Sequence, residues 1–128
     1  MPISSSIIAK TEELMGVTFP MDFKLHMMKR NGGQVMLDDE PWWLFPFYDP
    51  TDRRTIRRTA DDIKRATKTA IADDLGFPND GVAIAHNGAG DLLLLRGRDG
   101  KLQADVWIFR LRGELVHTMD KVQSLWER

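Results

Sequence analysis

Cysteine is absent from this chain of 128 residues, which excludes disulfides, thiol nucleophiles and zinc–thiolate centres and fits a reducing compartment. Histidine is scarce: His26, His86 and His117 are scattered, and none stands at metal-motif spacing from another His or a carboxylate, so no metal is expected. No apolar run approaches the roughly 20 residues of a membrane span. Met1-Pro2-Ile3-Ser4 has neither the basic nor the apolar region of a secretory signal, so a cytoplasmic location without membrane attachment is expected. An excess of one charge is also missing. The 18 Lys and Arg balance 19 Asp and Glu, which offers no global attraction for nucleic acid.

What is present is an ordinary globular composition, 42% hydrophobic and 29% charged, with no repeat, linker or low-complexity tract; residues 1–128 are read as one domain. Ile7, Ile8, Thr11, Leu14 and Met15 recur at helical spacing after the potential caps Ser4 to Ser6, and Gly16 stops the helix. Pro20 starts a second helix carrying Phe23 and Met27, ended by Asn31-Gly32-Gly33. Gln34 to Leu37 is a short strand, and Trp42 to Tyr48 is an edge or bending strand because of Pro46. Arg53 to Leu75 reads as a thinly apolar helical stretch, with Thr59 as cap of its main helix. Val82 to His86 and Leu92 to Leu95 flank the turn Asn87-Gly88-Ala89-Gly90-Asp91 as a hairpin. After the turn Gly97 to Gly100 comes a third meander strand, Ala104 to Leu111, apolar on both faces. Glu114 to Thr118 and a last short helix capped by Asp120 complete the chain. The fold expected is α+β: a mostly antiparallel sheet with N-terminal helices, one long middle helix and a short C-terminal helix.

Five features invite a functional reading, and most have a plainer one beside it. His86 and Asp91 are the sole pair near enough in sequence to suggest catalysis; a hydrogen bond at the side of the turn is the plain alternative. Gly88-Ala89-Gly90 lacks the Lys-Ser/Thr of a phosphate loop and opens into a strand, so Asn87, Gly88, Gly90 and Asp91 are assigned a structural turn in which Asp91 accepts bonds from the turn's own amides. Asp38, Asp39 and Glu40 alternate in direction on an extended chain, which suits a solvated or partner-facing acidic patch better than a cation site. Trp42 and Trp43 cannot both face inward in a strand. The basic segment Arg53, Arg54, Arg57, Arg58, Lys64, Arg65 and Lys68 lacks aromatics, and Asp61, Asp62, Asp73 and Asp74 dilute it, so it reads as a salt-bridged solvent face.

Phe77-Pro78, Asp80-Gly81, Asn87-Gly88 and Gly90-Asp91-Leu92, preceded by an amphipathic helix, Phe19-Pro20, Phe23 and Asn31-Gly32-Gly33, resemble the SMI1/KNR4 family of the SUKH superfamily over residues 5–111. The resemblance implies an α+β fold without catalysis or cofactor. It implies a protein partner, namely a polymorphic or contact-dependent toxin domain, such as a nuclease, that a bacterial immunity protein occludes; a scaffold or regulator of the fungal kind is the alternative. The chain departs from the family at its carboxyl end, where a fuller Phe-rich helix is missing. With no catalytic constellation, the partner-binding surface is placed on Asp38, Asp39, Glu40, Trp42, Trp43 and Tyr48, where acids steer a basic partner and aromatics supply buried contact.

Overall fold

The computed structural model describes residues 2–73 and 75–127. Turn chemistry sets its sheet. Asp38 and Asp39, at φ 51° and 63°, form a two-residue loop between β1 (Gly33–Leu37) and β2 (Glu40–Leu44), with Leu37 opposite Glu40. Positive φ at both loop positions matches the right-handed strand twist, and Asp tolerates that region better than most residues. Asp99 and Gly100 repeat the device between β4 (Leu92–Arg98) and β5 (Lys101–Phe109). With β3 (Gly81–His86) and β6 (Leu115–Met119), the strands form one antiparallel sheet in the order β1-β2-β3-β4-β5-β6.

Strand alternation sorts the core. On β5, Val106 and Ile108 are buried on one face, while Phe109 on the other lies edge-on to Phe77 at 5.4 Å. The expectation of a strand apolar on both faces is met. On β2, Trp42 and Leu44 are buried on one face, and Trp43 and Phe45 belong to the other. β2 is an interior strand rather than an edge. It ends at Leu44, before Pro46, so the proline costs no ladder bond.

Two N-terminal helices, α1 (Ser5–Met15) and α2 (Met21–Lys29), hold Ile8, Phe23 and Met27 against the core. Phe19, Phe23 and Phe47 meet at centroid distances of 5.1 to 6.0 Å. Asn31 fixes this cluster: its amide donates to the Phe47 carbonyl at 2.9 Å, and its Oδ1 accepts the Phe47 N–H at 2.8 Å. One side chain thereby does the work of a neighbouring strand.

The middle helical stretch is divided. α3 (Arg53–Arg58) is capped by Asp52, α4 (Ile63–Ala72) by Asp62. Thr59, expected to cap the main helix, is buried between the two, donating to the Thr55 carbonyl and accepting the Asp49 N–H at 2.8 Å. Its hydroxyl therefore ties the break to the preceding loop, and the free cap is Asp62. α4 packs on β3, where the Thr67 hydroxyl accepts the Ala83 N–H at 2.9 Å beside a β-bulge. The closing element is a 3₁₀ turn, Val122–Trp126, preceded by Lys121 and not capped by Asp120. It reaches α2, β1 and β5 together, with Val122 and Leu125 buried and Trp126 stacked on His26 at 4.3 Å.

Candidate functional site

Alternation along β2 settles which tryptophan is available. Trp42 is fully buried, with its indole Nε1 lacking an acceptor, and cannot belong to a partner surface. Trp43 is 40% exposed, as is Tyr48. The reason is the two-residue period: Trp42 stands opposite Val35 on the buried face, whereas Trp43 faces outward opposite His86. The rings of Trp43 and His86 stack at 5.8 Å, and the Phe45 ring lies 5.2 Å from the same imidazole. The His86 ring thus contacts two aromatic rings, and Asp91 is committed elsewhere. The catalytic reading of this pair has no geometry to stand on.

Asp91 is the hub of the turn region. Asn87 leads the turn, and its Oδ1 accepts the N–H groups of Ala89 at 2.9 Å and Asp91 at 3.2 Å. This is the Asx arrangement, which favours the residue that begins a turn. The expectation that Asp91 accepts the turn's own amides is therefore corrected. Asp91 accepts from the Asn87 amide at 2.9 Å, from the Leu111 N–H at 2.9 Å and from the Arg110 guanidinium at 3.1 Å. Burial pushes its carboxyl pKa up, but the Leu111 N–H, the Asn87 amide and the Arg110 guanidinium outweigh it and hold the value below the ordinary carboxylate range. Gly88 and Gly90, at φ 80° and 98°, give the turn a path that side-chain-bearing residues rarely follow. The motif Asn87-Gly88 with Gly90-Asp91 thus joins the β3–β4 turn to the β5–β6 connection.

The hairpin acids stand near this assembly. Asp38, Asp39 and Glu40 are all exposed, and Glu40 Oε2 lies 3.5 Å from the Asn87 amide. From Asp39 to Trp43 is roughly 13 Å of extended chain. Beyond His86 a cleft of about 470 Å³ opens between α4 and the β3–β4 turn, with Phe45, Ala66, Ala70 and His86 among its walls and Asp61, Asp73 and Asp91 around it. Among the described residues, no Lys or Arg lines it. Sequence reasoning missed this cleft because its walls come from β2, α4, β3 and the loop after β5; the acids flanking α4 were its only trace.

Two further groupings differ from expectation. Among the described residues, Arg53, Arg54, Arg57, Lys64, Arg65 and Lys68 form no ion pair, so these six do not build the salt-bridged face expected of the segment. The neighbouring acids Asp52 and Asp62 use their carboxylates as helix caps instead; Asp74 lies outside the described residues. On the β5–β6 side, His117 Nε2 is 2.9 Å from Asp105 and 3.5 Å from Asp120, and one ligand atom from each of the three lies within 4.8 Å of the others. The side chains are 38%, 40% and 89% exposed in the order His117, Asp105, Asp120, and the short His117–Asp105 contact is a sufficient hydrogen-bonding role for both. Among the described residues, no helix is long and apolar enough to cross a membrane.

No curated protein and no solved structure matches the chain. The SMI1 / KNR4 family (SUKH-1) matches residues 2–127. That span takes in the paired N-terminal helices, the whole sheet and the Asn87–Asp91 turn, and the chain belongs to the SMI1/KNR4 family (SUKH-1).

Proposed function

We propose that this chain is an immunity protein: a binding module that neutralises a toxin domain by covering its active site. The observation that carries the reading is an outward Trp43, 40% exposed and braced by His86, set between the hairpin acids and an acid-lined cleft. A pre-positioned aromatic loses little side-chain freedom on binding and can act as an anchor, while acids accelerate the approach of a basic surface such as a nuclease active site. Family membership supports a module that works through protein contacts. Asp38, Asp39 and Glu40 would steer, Trp43 would anchor, and Tyr48 would extend the contact, whereas Trp42 belongs to the core.

The test is co-expression with the toxic C-terminal domain of a secreted protein encoded beside this chain, followed by association and dissociation rates at two salt concentrations. The parent should restore growth. Neutralising Asp38, Asp39 and Glu40 together should slow association and flatten its salt dependence, whereas Trp43→Ala should speed dissociation at a cost of about 2 kcal/mol. Failure of the parent to protect refutes the toxin reading. Protection and rates equal to the parent's in every variant refute the surface.

A further inference from the structure

α4 divides two surfaces of different character. The cleft flank carries Ala66, Thr69, Ala70 and Asp73, and the opposite flank carries Lys64, Thr67, Lys68 and Ile71. Both sets follow the helical spacing i, i+3, i+4, i+7, so each is one stripe of the same helix. Small residues on the first stripe leave room beside the sheet, and that room is what forms the cleft.

We propose that this cleft receives an arginine side chain of the protein partner; the proposal rests on the protein-binding reading above and names the chemistry of one contact. Charge comes first. Asp61 and Asp73 are exposed and engage in no ion pair or side-chain hydrogen bond among the described residues. Asp91 stays ionised but already holds Arg110. Two unspent carboxylates therefore face a cavity that no described Lys or Arg lines. Shape comes second. Phe45 and His86 give the cleft aromatic walls, tilted 32° from one another, and a planar guanidinium stacks on such rings while its N–H groups reach carboxylates. A lysine ammonium is more strongly hydrated and has no plane to stack, so arginine suits these walls better. Ala66 and the exposed Leu111 accommodate the methylene stem. Position comes third. Trp43 touches the same imidazole that walls the cleft, so an inserted arginine and a buried tryptophan would belong to one continuous interface.

The probe is acetyl-Gly-Arg-Gly-amide, titrated into the full chain and followed by amide chemical shifts, with the matching citrulline peptide as the uncharged isostere. Saturable shifts should appear at His86, Gly88 and Leu111, with the citrulline peptide at least about tenfold weaker because its urea group has no charge for the carboxylates. Asp61→Asn with Asp73→Asn, both at exposed positions, should weaken the arginine peptide by a similar factor without altering the fold. Absent shifts, equal binding of the citrulline peptide, or equal shifts from magnesium chloride would each overturn the proposal. Against a neutralised toxin domain, the double variant should dissociate faster than the parent. Neutralisation without peptide discrimination overturns the cleft assignment alone, whereas peptide discrimination without neutralisation of any toxin upholds the cleft and overturns the toxin reading.

Discussion

Asp91→Asn tests whether the β3–β4 turn and the β5–β6 connection are stabilised as one unit. The substitution preserves shape and removes the charge that now accepts from the Asn87 amide, the Leu111 N–H and the Arg110 guanidinium. The new amide oxygen can retain part of this pattern, but its NH2 must face at least one donor. Hydrogen bonds to a charged group contribute about 1.5–3 kcal/mol. The Arg110 side chain is 40% exposed and the Asp91 side chain 15%, so solvent reduces the ion pair to about 0.5 kcal/mol. The expected total loss is about 1.5–2 kcal/mol. With a urea m-value of about 1–2 kcal/mol/M for a chain of this size, the unfolding midpoint should fall by about 1 M. The pH dependence has a definite sign. The folded pKa of Asp91 lies below its unfolded value, so its contribution is complete above the unfolded value of about 3.9 and is lost as pH falls through the lower folded one. The stability gap between parent and variant should be constant from neutral pH to about pH 5 and close in stronger acid. A gap under about 0.5 kcal/mol at neutral pH, or one that persists unchanged in acid, would refute the hub.

Thr67→Val keeps the volume at a buried position but leaves the Ala83 N–H without its acceptor, and should cost about 1–3 kcal/mol in urea unfolding. Gly88→Val should cost roughly 1 kcal/mol or more from the positive φ it imposes on a β-branched residue. Gly90→Val should cost a similar amount through its positive φ, since the Leu111 side chain that an added Cβ would meet is exposed and can move aside; unchanged thermal midpoints with lost partner binding would make the turn a recognition loop instead. Trp42→Phe removes an orphaned buried N–H, a relief of about 1–3 kcal/mol that offsets a cavity cost of similar size. Its urea midpoint should therefore stay near the parent's, and a loss of about 3 kcal/mol or more would show that packing alone governs this position.

Much of the fold was legible because its signals are local. Asp99-Gly100 and Asn87-Gly88 announce turns by their own backbone preferences, and the runs Val82–Ala85 and Leu92–Leu95 need only a neighbour to become strands. The break between α3 and α4 escaped notice because apolar spacing continues across it. What makes the break is the bonding of Thr59 to Asp49 and Thr55, together with the Ile63 N–H donating to the Pro46 carbonyl at 2.9 Å. The site was legible only in part. Alternation dictates that one of Trp42 and Trp43 faces outward, but which one depends on the register with Val35 and His86. The cleft and the Asp105–His117–Asp120 grouping unite residues far apart in the chain, which no spacing rule can bring together.

The C-terminal 3₁₀ turn also carries a consequence for biosynthesis. Val122 and Leu125 are almost wholly inaccessible, and their turn touches α2, β1 and β5 at once. A nascent chain that has made every strand still lacks the piece that seals these elements against one another, so the apolar groups beneath it stay wet until Val122 and Leu125 have emerged. Native packing therefore waits on residues 122–126, and a chain that has not yet made them exposes the apolar surface they cover.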